Sequence, residues 1–164
     1  FNRARTNYFL ENMEDTIEDY SKVLSLTPDD AEAYNNRGLA FDALGDYDLA
    51  LEDYGRAVTL RPDFAESLSN RGAASEALGK TEEALDDYLA ALTAAPNFAA
   101  AHYNAARLYA RLRDVDQCLP HLEKAMRLVP ELRSDADEDD ELGWVLKLRQ
   151  LKQERGRGTG EAGA

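Results

Sequence analysis

The sequence predicts an all-α protein. The expected architecture is a right-handed α-solenoid of stacked antiparallel helix pairs, about four 34-residue units long, with a C-terminal capping helix. Two regularities carry this. Pro28, Pro62, Pro96 and Pro130 stand 34 residues apart each time, a period at which helical units stack into a quasi-one-dimensional core. Small residues recur in the same register: Ala4, Gly38, Gly72 and Ala106 in one helix, Thr16, Ala50, Ala84 and Cys118 in the other. Larger apolar residues fill the places between them, as close packing of helices requires.

The units are 1–30, 31–64, 65–98 and 99–132, the first truncated. Each reads as two helices. In the second unit the first helix covers 32–44, and Gly45 closes it in the left-handed conformation; Gly79 does the same one unit later. Arg113 stands at that place in the fourth unit. Asn12, Asp46 and Asp114 are candidate N-caps of the second helix, with Thr81 in the third unit. Acids in its first turn (Glu14, Asp15, Asp48, Glu82, Glu83, Asp116) complement the helix dipole. Proline then stops the helix, and the Asp29, Asp63 or Asn97 that follows is a candidate cap for the next unit.

After Pro130 comes DADEDDE (135–141). A calcium loop starting at Asp135 needs Gly near 140 and Glu at 146, where Asp140 and Leu146 stand. The acids instead open a capping helix of about 138–153, within a segment 133–153. Its apolar residues cover two sectors. Leu142, Val145 and Leu146 suit burial on the last unit, while Trp144, Leu148 and Leu151 suit either deeper burial or a second interface such as a homodimer contact. Residues 154–164 read as a flexible tail. The chain enters the first unit late, at Phe1, so it is expected to be a fragment or a processed product.

Composition excludes several classes. The formal net charge is −13, from 32 acids against 19 bases. Nucleic-acid binding needs a clustered basic surface, so it is not expected. No run approaches the ~18 apolar residues of a membrane span. The single Cys118 rules out an intrachain disulfide and falls in a small packing slot. His102 and His121 lie in different helices, with no spacing that marks a metal pair, and His102 takes a packing position. The sequence has no Gly-rich phosphate loop or nucleophile motif. No catalytic residue, cofactor or metal site is expected.

Over residues 1–132 the chain resembles the tetratricopeptide repeat family. Arg3, Arg37 and Arg71 stand where the family usually has Leu. Each of these units also carries an Asp before the aromatic of the second helix (Asp19, Asp53, Asp87), and the fourth unit has Ala105 and His121 instead. The joint loss suggests that Arg37 pairs with Asp53 and Arg71 with Asp87 as a structural device, within a unit or between neighbours.

The resemblance also implies that the first helices line a concave groove holding an extended peptide. There Asn2, Asn36, Asn70 and Asn104 form a ladder similar to those of peptide-binding members. A carboxamide both donates and accepts, so it can pair with a peptide bond without reading side chains. Helices ~10 Å apart and extended chain rising ~3.3 Å per residue bring one Asn to roughly every third peptide residue. Asn35, Ser69 and Tyr103 are expected beside the ladder. Glu32, Glu66, Asp42 and Glu76 make its middle acidic, and Arg107 with Arg111 make a basic edge. Chaperone-binding members hold a C-terminal carboxylate with Lys, Arg and Asn. The matching places here are Phe1, Arg5, Asn36, Glu66 and Asn70, and Glu66 repels a carboxylate.

The expected function is a non-enzymatic interaction module that binds an extended segment of a neutral or basic protein partner, as an adaptor or scaffold. The alternatives are the regulatory or substrate-presenting region of a larger enzyme, and a scaffold that self-associates into a homo-oligomer.

Overall fold

The structure, a computed structural model, describes the backbone of residues 2–158 and the side chains of 12–151. Among the described residues all regular structure is helical: α1 (Asn2–Leu26), α2 (Ala31–Leu44), α3 (Tyr47–Leu60), α4 (Ala65–Ala77), α5 (Thr81–Ala94), α6 (Ala99–Arg111), α7 (Val115–Leu128), α8 (Leu132–Glu138) and α9 (Asp140–Gly158). They form two compact bodies, Phe1–Pro96 and Asn97–Ala164.

In the N-terminal body each helix packs on the next, from α1 through α5. Short connections make successive helices antiparallel neighbours. The first repeat departs from the expected pair: α1 runs unbroken through Asn12, which therefore caps nothing. Its register explains this. Glu11 stands where Gly45 and Gly79 adopt φ of +84° and +75°, and Glu favours continued helix over the left-handed turn.

Capping departs from expectation too. The N-cap of α2 is Asp30, not Asp29; its Oδ1 accepts from Ala33 N at 3.0 Å. In the next two repeats Phe64 and Phe98 take that place without a side-chain cap. Asp114 caps α7 through Gln117 N, while Asp46 makes no such bond and Thr81 lies inside α5, after Lys80.

Helix pairs lock through a ring set against a glycine. Tyr54 of α3 and Tyr88 of α5 are almost completely buried. Their rings lie so close to Gly38 of α2 and Gly72 of α4 that a Cβ there would sit 2.8 Å and 2.9 Å from ring carbons. The recurring small residue is thus the hole for the recurring tyrosine. Fully burying a side chain of this kind is worth roughly 2–3 kcal/mol.

In the C-terminal body α6 pairs with α7, α8 with α9, and α9 also lies on α6. Ala106, Ala110, Cys118, Leu122, Ala136, Leu142 and Val145 form its fully buried core. The single acidic-start helix expected over 138–153 is two helices. Asp139 breaks the chain with an extended backbone, and its Oδ1 accepts from Glu141 N and Leu142 N at 2.8 and 3.0 Å, capping α9. α9 continues to Gly158, past the point where the tail was expected to begin; residues 159–164 lie outside the described residues.

Trp144 is half-buried. It packs against the C-terminal core together with Leu146, and the Arg113 guanidinium covers its ring at 4.5 Å. Leu148 is half-buried, and Leu151 is 54% exposed. Arg113 reaches Trp144 from the left-handed conformation, φ +64°, which ends α6 as the glycines end α2 and α4.

Candidate functional site

The fold places Asn36 on α2 and Asn70 on α4, both half-buried. Asn70 Nδ2 donates to Asn35 Oδ1 at 3.1 Å, which leaves its own carbonyl oxygen and second N–H available. Asn35 is buried and Ser69 is buried, so neither is an accessible contact; the Asn35–Asn70 bond ties neighbouring first helices together. Asn36 makes no protein hydrogen bond through its side chain among the described contacts. Asn104 is half-buried on α6 of the C-terminal body. The Asn2 side chain, like that of Arg5, lies outside the described residues.

The expected acids occupy different environments. Glu66 is exposed. Glu32 is exposed and pairs with Arg61 at 3.2 Å, and Arg61 in turn lies over the Phe64 ring at 3.5 Å. Burial pushes the Asp42 carboxyl above its ordinary value. Glu76 accepts from the Tyr88 hydroxyl at 3.1 Å. The corresponding Tyr54 hydroxyl is buried without a partner, and burial, then Asp42 and Asp53, drive its pKa far above normal.

The N-terminal body also holds two bidentate clamps. Arg37 Nε and Nη2 donate to the Asp53 carboxylate, each at 2.7 Å. Arg71 grips Asp87 the same way, with Nε at 2.8 Å. Both join the two helices of one repeat, α2 to α3 and α4 to α5. Arg37 Nη1 also donates to Ser21 of α1 at 3.0 Å. The hydrogen bonds to Asp53 and Asp87 hold the guanidinium pKa values up against desolvation.

The basic edge is internally neutralised. Arg107 Nε lies 3.0 Å from Asp139 Oδ2, and Arg107 Nη2 lies 3.5 Å from Glu141 Oε2. These are close as charges but not aligned as hydrogen bonds. Arg111 reaches Glu141 at 3.7 Å. Tyr103, expected beside the ladder, packs against the C-terminal core. The start of α9 therefore sits on the α6 residues that were expected to meet a ligand.

The structure also brings together two residues that spacing did not pair. His102 Nδ1 and His121 Nδ1 are 2.9 Å apart, and Tyr109 stacks on His121. The signal was in the 34-residue register: His102 takes the place of Leu68, and His121 that of Asp87. No group of three or more His, Cys, Asp or Glu that could hold a metal occurs among the described residues. No described helix is long and apolar enough to cross a membrane.

Comparison with known proteins agrees with the fold. Family models described as tetratricopeptide repeats match residues 31–64 and 70–131, and a TPR repeat model matches 10–45. No curated protein matches the chain in sequence. Among solved structures, that of MamA superposes with a TM-score of 0.75 at 22% identity, covering 94% of this chain and 87% of MamA. The first TPR of Spaghetti (RPAP3), bound to the HSP90 peptide SRMEEVD, superposes with a TM-score of 0.61 at 28% identity, covering 68% of this chain and 89% of that one. A structure titled MamA MSR-1 C2 matches with a TM-score of 0.61 at 26% identity, over 75% and 70% of the two chains.

Proposed function

Because this chain belongs to the tetratricopeptide repeat family and is a protein-interaction module, we propose that the α2–α4 face of its N-terminal body binds an extended segment of a partner protein. The observation that carries this reading is Asn36. It is half-buried on that face, and its carboxamide makes no hydrogen bond among the described residues, while Asn70 keeps an acceptor and a donor beyond its bond to Asn35. Such groups pair with a peptide backbone whatever its side chains.

Acids set the preference. Asp42 shares α2 with Asn36, and Glu66 and Glu76 share α4 with Asn70, so Lys or Arg in the middle of the segment is favoured over Asp or Glu. RPAP3 is bound to a peptide ending in acids, whereas Glu66 here opposes a carboxylate. The bound segment acts as the tether by which this module joins its partner to a complex.

A peptide array tests the proposal. Wild-type protein is expected to retain Lys- and Arg-containing peptides, and Asn36→Ala to lose most of that binding with unchanged melting. Equal retention by both proteins removes the asparagines from recognition. Preference for Glu-rich peptides overturns the charge argument.

A further inference from the structure

The third repeat joins its two helices with a permanently charged clamp, Arg71 to Asp87. The fourth replaces both members, having Ala105 and His121, and adds His102 where Leu68 stood. In place of a salt bridge, α6 and α7 are joined by two imidazoles. Their Nδ1 atoms are 2.9 Å apart and their ring centroids 5.1 Å apart. The difference is about two ring radii, so the nitrogens meet nearly head-on. One Nδ1 must carry a proton and donate it, and the other must accept.

We propose that His102 and His121 form a proton-operated latch: they hold α6 to α7 while at least one Nδ1 is unprotonated, and release them when both are protonated. A neutral pair has one donor and one acceptor. A singly charged pair keeps the same bond, with the added proton on a remote nitrogen. The doubly charged pair has two N–H groups facing each other at hydrogen-bond distance and must separate.

No ion pair to His121 occurs among the described residues. From α6 His102 and the stacked Tyr109 face His121, and on α7 the buried Cys118 lies one turn before it. Asp114 acts on Tyr109 and Cys118. Glu123, two residues past His121, is paired with Arg149 of α9 at 2.7 Å. Burial, then His102, lowers the His121 pKa.

The sign follows from the lowered pKa. The folded C-terminal body takes up fewer protons than its unfolded form below the ordinary histidine value of about 6.5. The latch's contribution is therefore present above that pH and lost as pH falls. The clamps of the N-terminal body contain no histidine. Opening reaches the α9 contact, because Leu142 and Val145 share the core of α6 and α7. Acidification thus loosens the C-terminal body selectively.

Hydrogen exchange read by mass spectrometry, corrected for intrinsic rates, tests this. Between pH 7.5 and 5.0, protection over residues 99–151 is expected to fall about tenfold for each unit of pKa depression, with residues 31–94 unchanged. The triple variant His102→Leu/Ala105→Arg/His121→Asp, which restores the clamp of the third repeat, is expected to abolish the difference. Equal protection at both pH values in wild type, or the same loss in the folded triple variant, overturns the latch. NMR of the wild type decides independently of any variant, since the chain has only two histidines. Two coupled titrations, the second below the ordinary value, support the proposal. Two independent titrations near 6.5 overturn it.

Discussion

Tyr88 donates its hydroxyl to Glu76 at 3.1 Å, and one repeat earlier the equivalent Tyr54 has no acceptor. The equivalent acid there is Asp42, one methylene shorter. Two positions that look interchangeable in the repeat register therefore differ in whether a buried hydroxyl is satisfied.

Removing the two hydroxyls should have different effects. Tyr88→Phe is expected to cost about 1 kcal/mol, a typical net hydrogen bond. Tyr54→Phe deletes an unsatisfied buried group and should be neutral or stabilising. Asp42→Glu should give Tyr54 its acceptor and add about 1 kcal/mol. Urea denaturation of the three variants checks this; equal costs for the two tyrosines would count against it.

Arg37→Ala leaves the buried Asp53 without its bidentate partner. Breaking a buried pair from one side costs about 3–5 kcal/mol, and a drop of that size in unfolding free energy is expected. An unchanged melting temperature would show that the clamp is not structural.

Two glycine substitutions are predicted to differ in sign. Gly72→Ala drives a Cβ to 2.9 Å from the Tyr88 ring and 3.1 Å from the Ala84 carbonyl oxygen, an overpacking cost of about 1–3 kcal/mol. Gly55 of α3 faces open space and stands where the first repeat has Ser21, which accepts from Arg37. Gly55→Ser should therefore gain roughly 0.5 kcal/mol of helix propensity and up to about 1 kcal/mol from a bond to Arg71. Thermal melts give both signs.

Cys118 fills the small slot of α7, and burial, then Asp114, pushes its thiol up to about 11. The thiolate fraction at pH 8 falls about a hundredfold for a two-unit rise. Ellman's reagent should react with native protein at least that much more slowly than with protein in denaturant. Rapid native labelling would show the C-terminal core to be open.

Helix boundaries were legible wherever a residue forces a local conformation. Gly45 and Gly79 end helices by the left-handed turn, and Pro28, Pro62, Pro96 and Pro130 follow helix ends. Where no such residue stands, the register misled. Glu11 let α1 run through the place of the first turn, and Asp139 split the cap because its carboxylate serves two backbone amides better than helix does. The candidate site was legible as a column of asparagines but not as contacts. Asn35 and Ser69 share that column's neighbourhood yet are buried, and Arg107 and Arg111 are occupied by acids more than 25 residues further along the chain.

The sequence by itself determined the repeat. A 34-residue recurrence of proline, small residue and aromatic leaves helix pairs as the way to bury those side chains, and Arg with Asp lost together already implied a pair. The tertiary structure alone decided which atoms meet. It set the clamps within a repeat, left Tyr54 unpartnered beside Asp42, and brought His102 to His121. Periodicity fixes which face a residue occupies, but a hydrogen bond depends on tenths of an ångström across two helices, a scale that only packing sets.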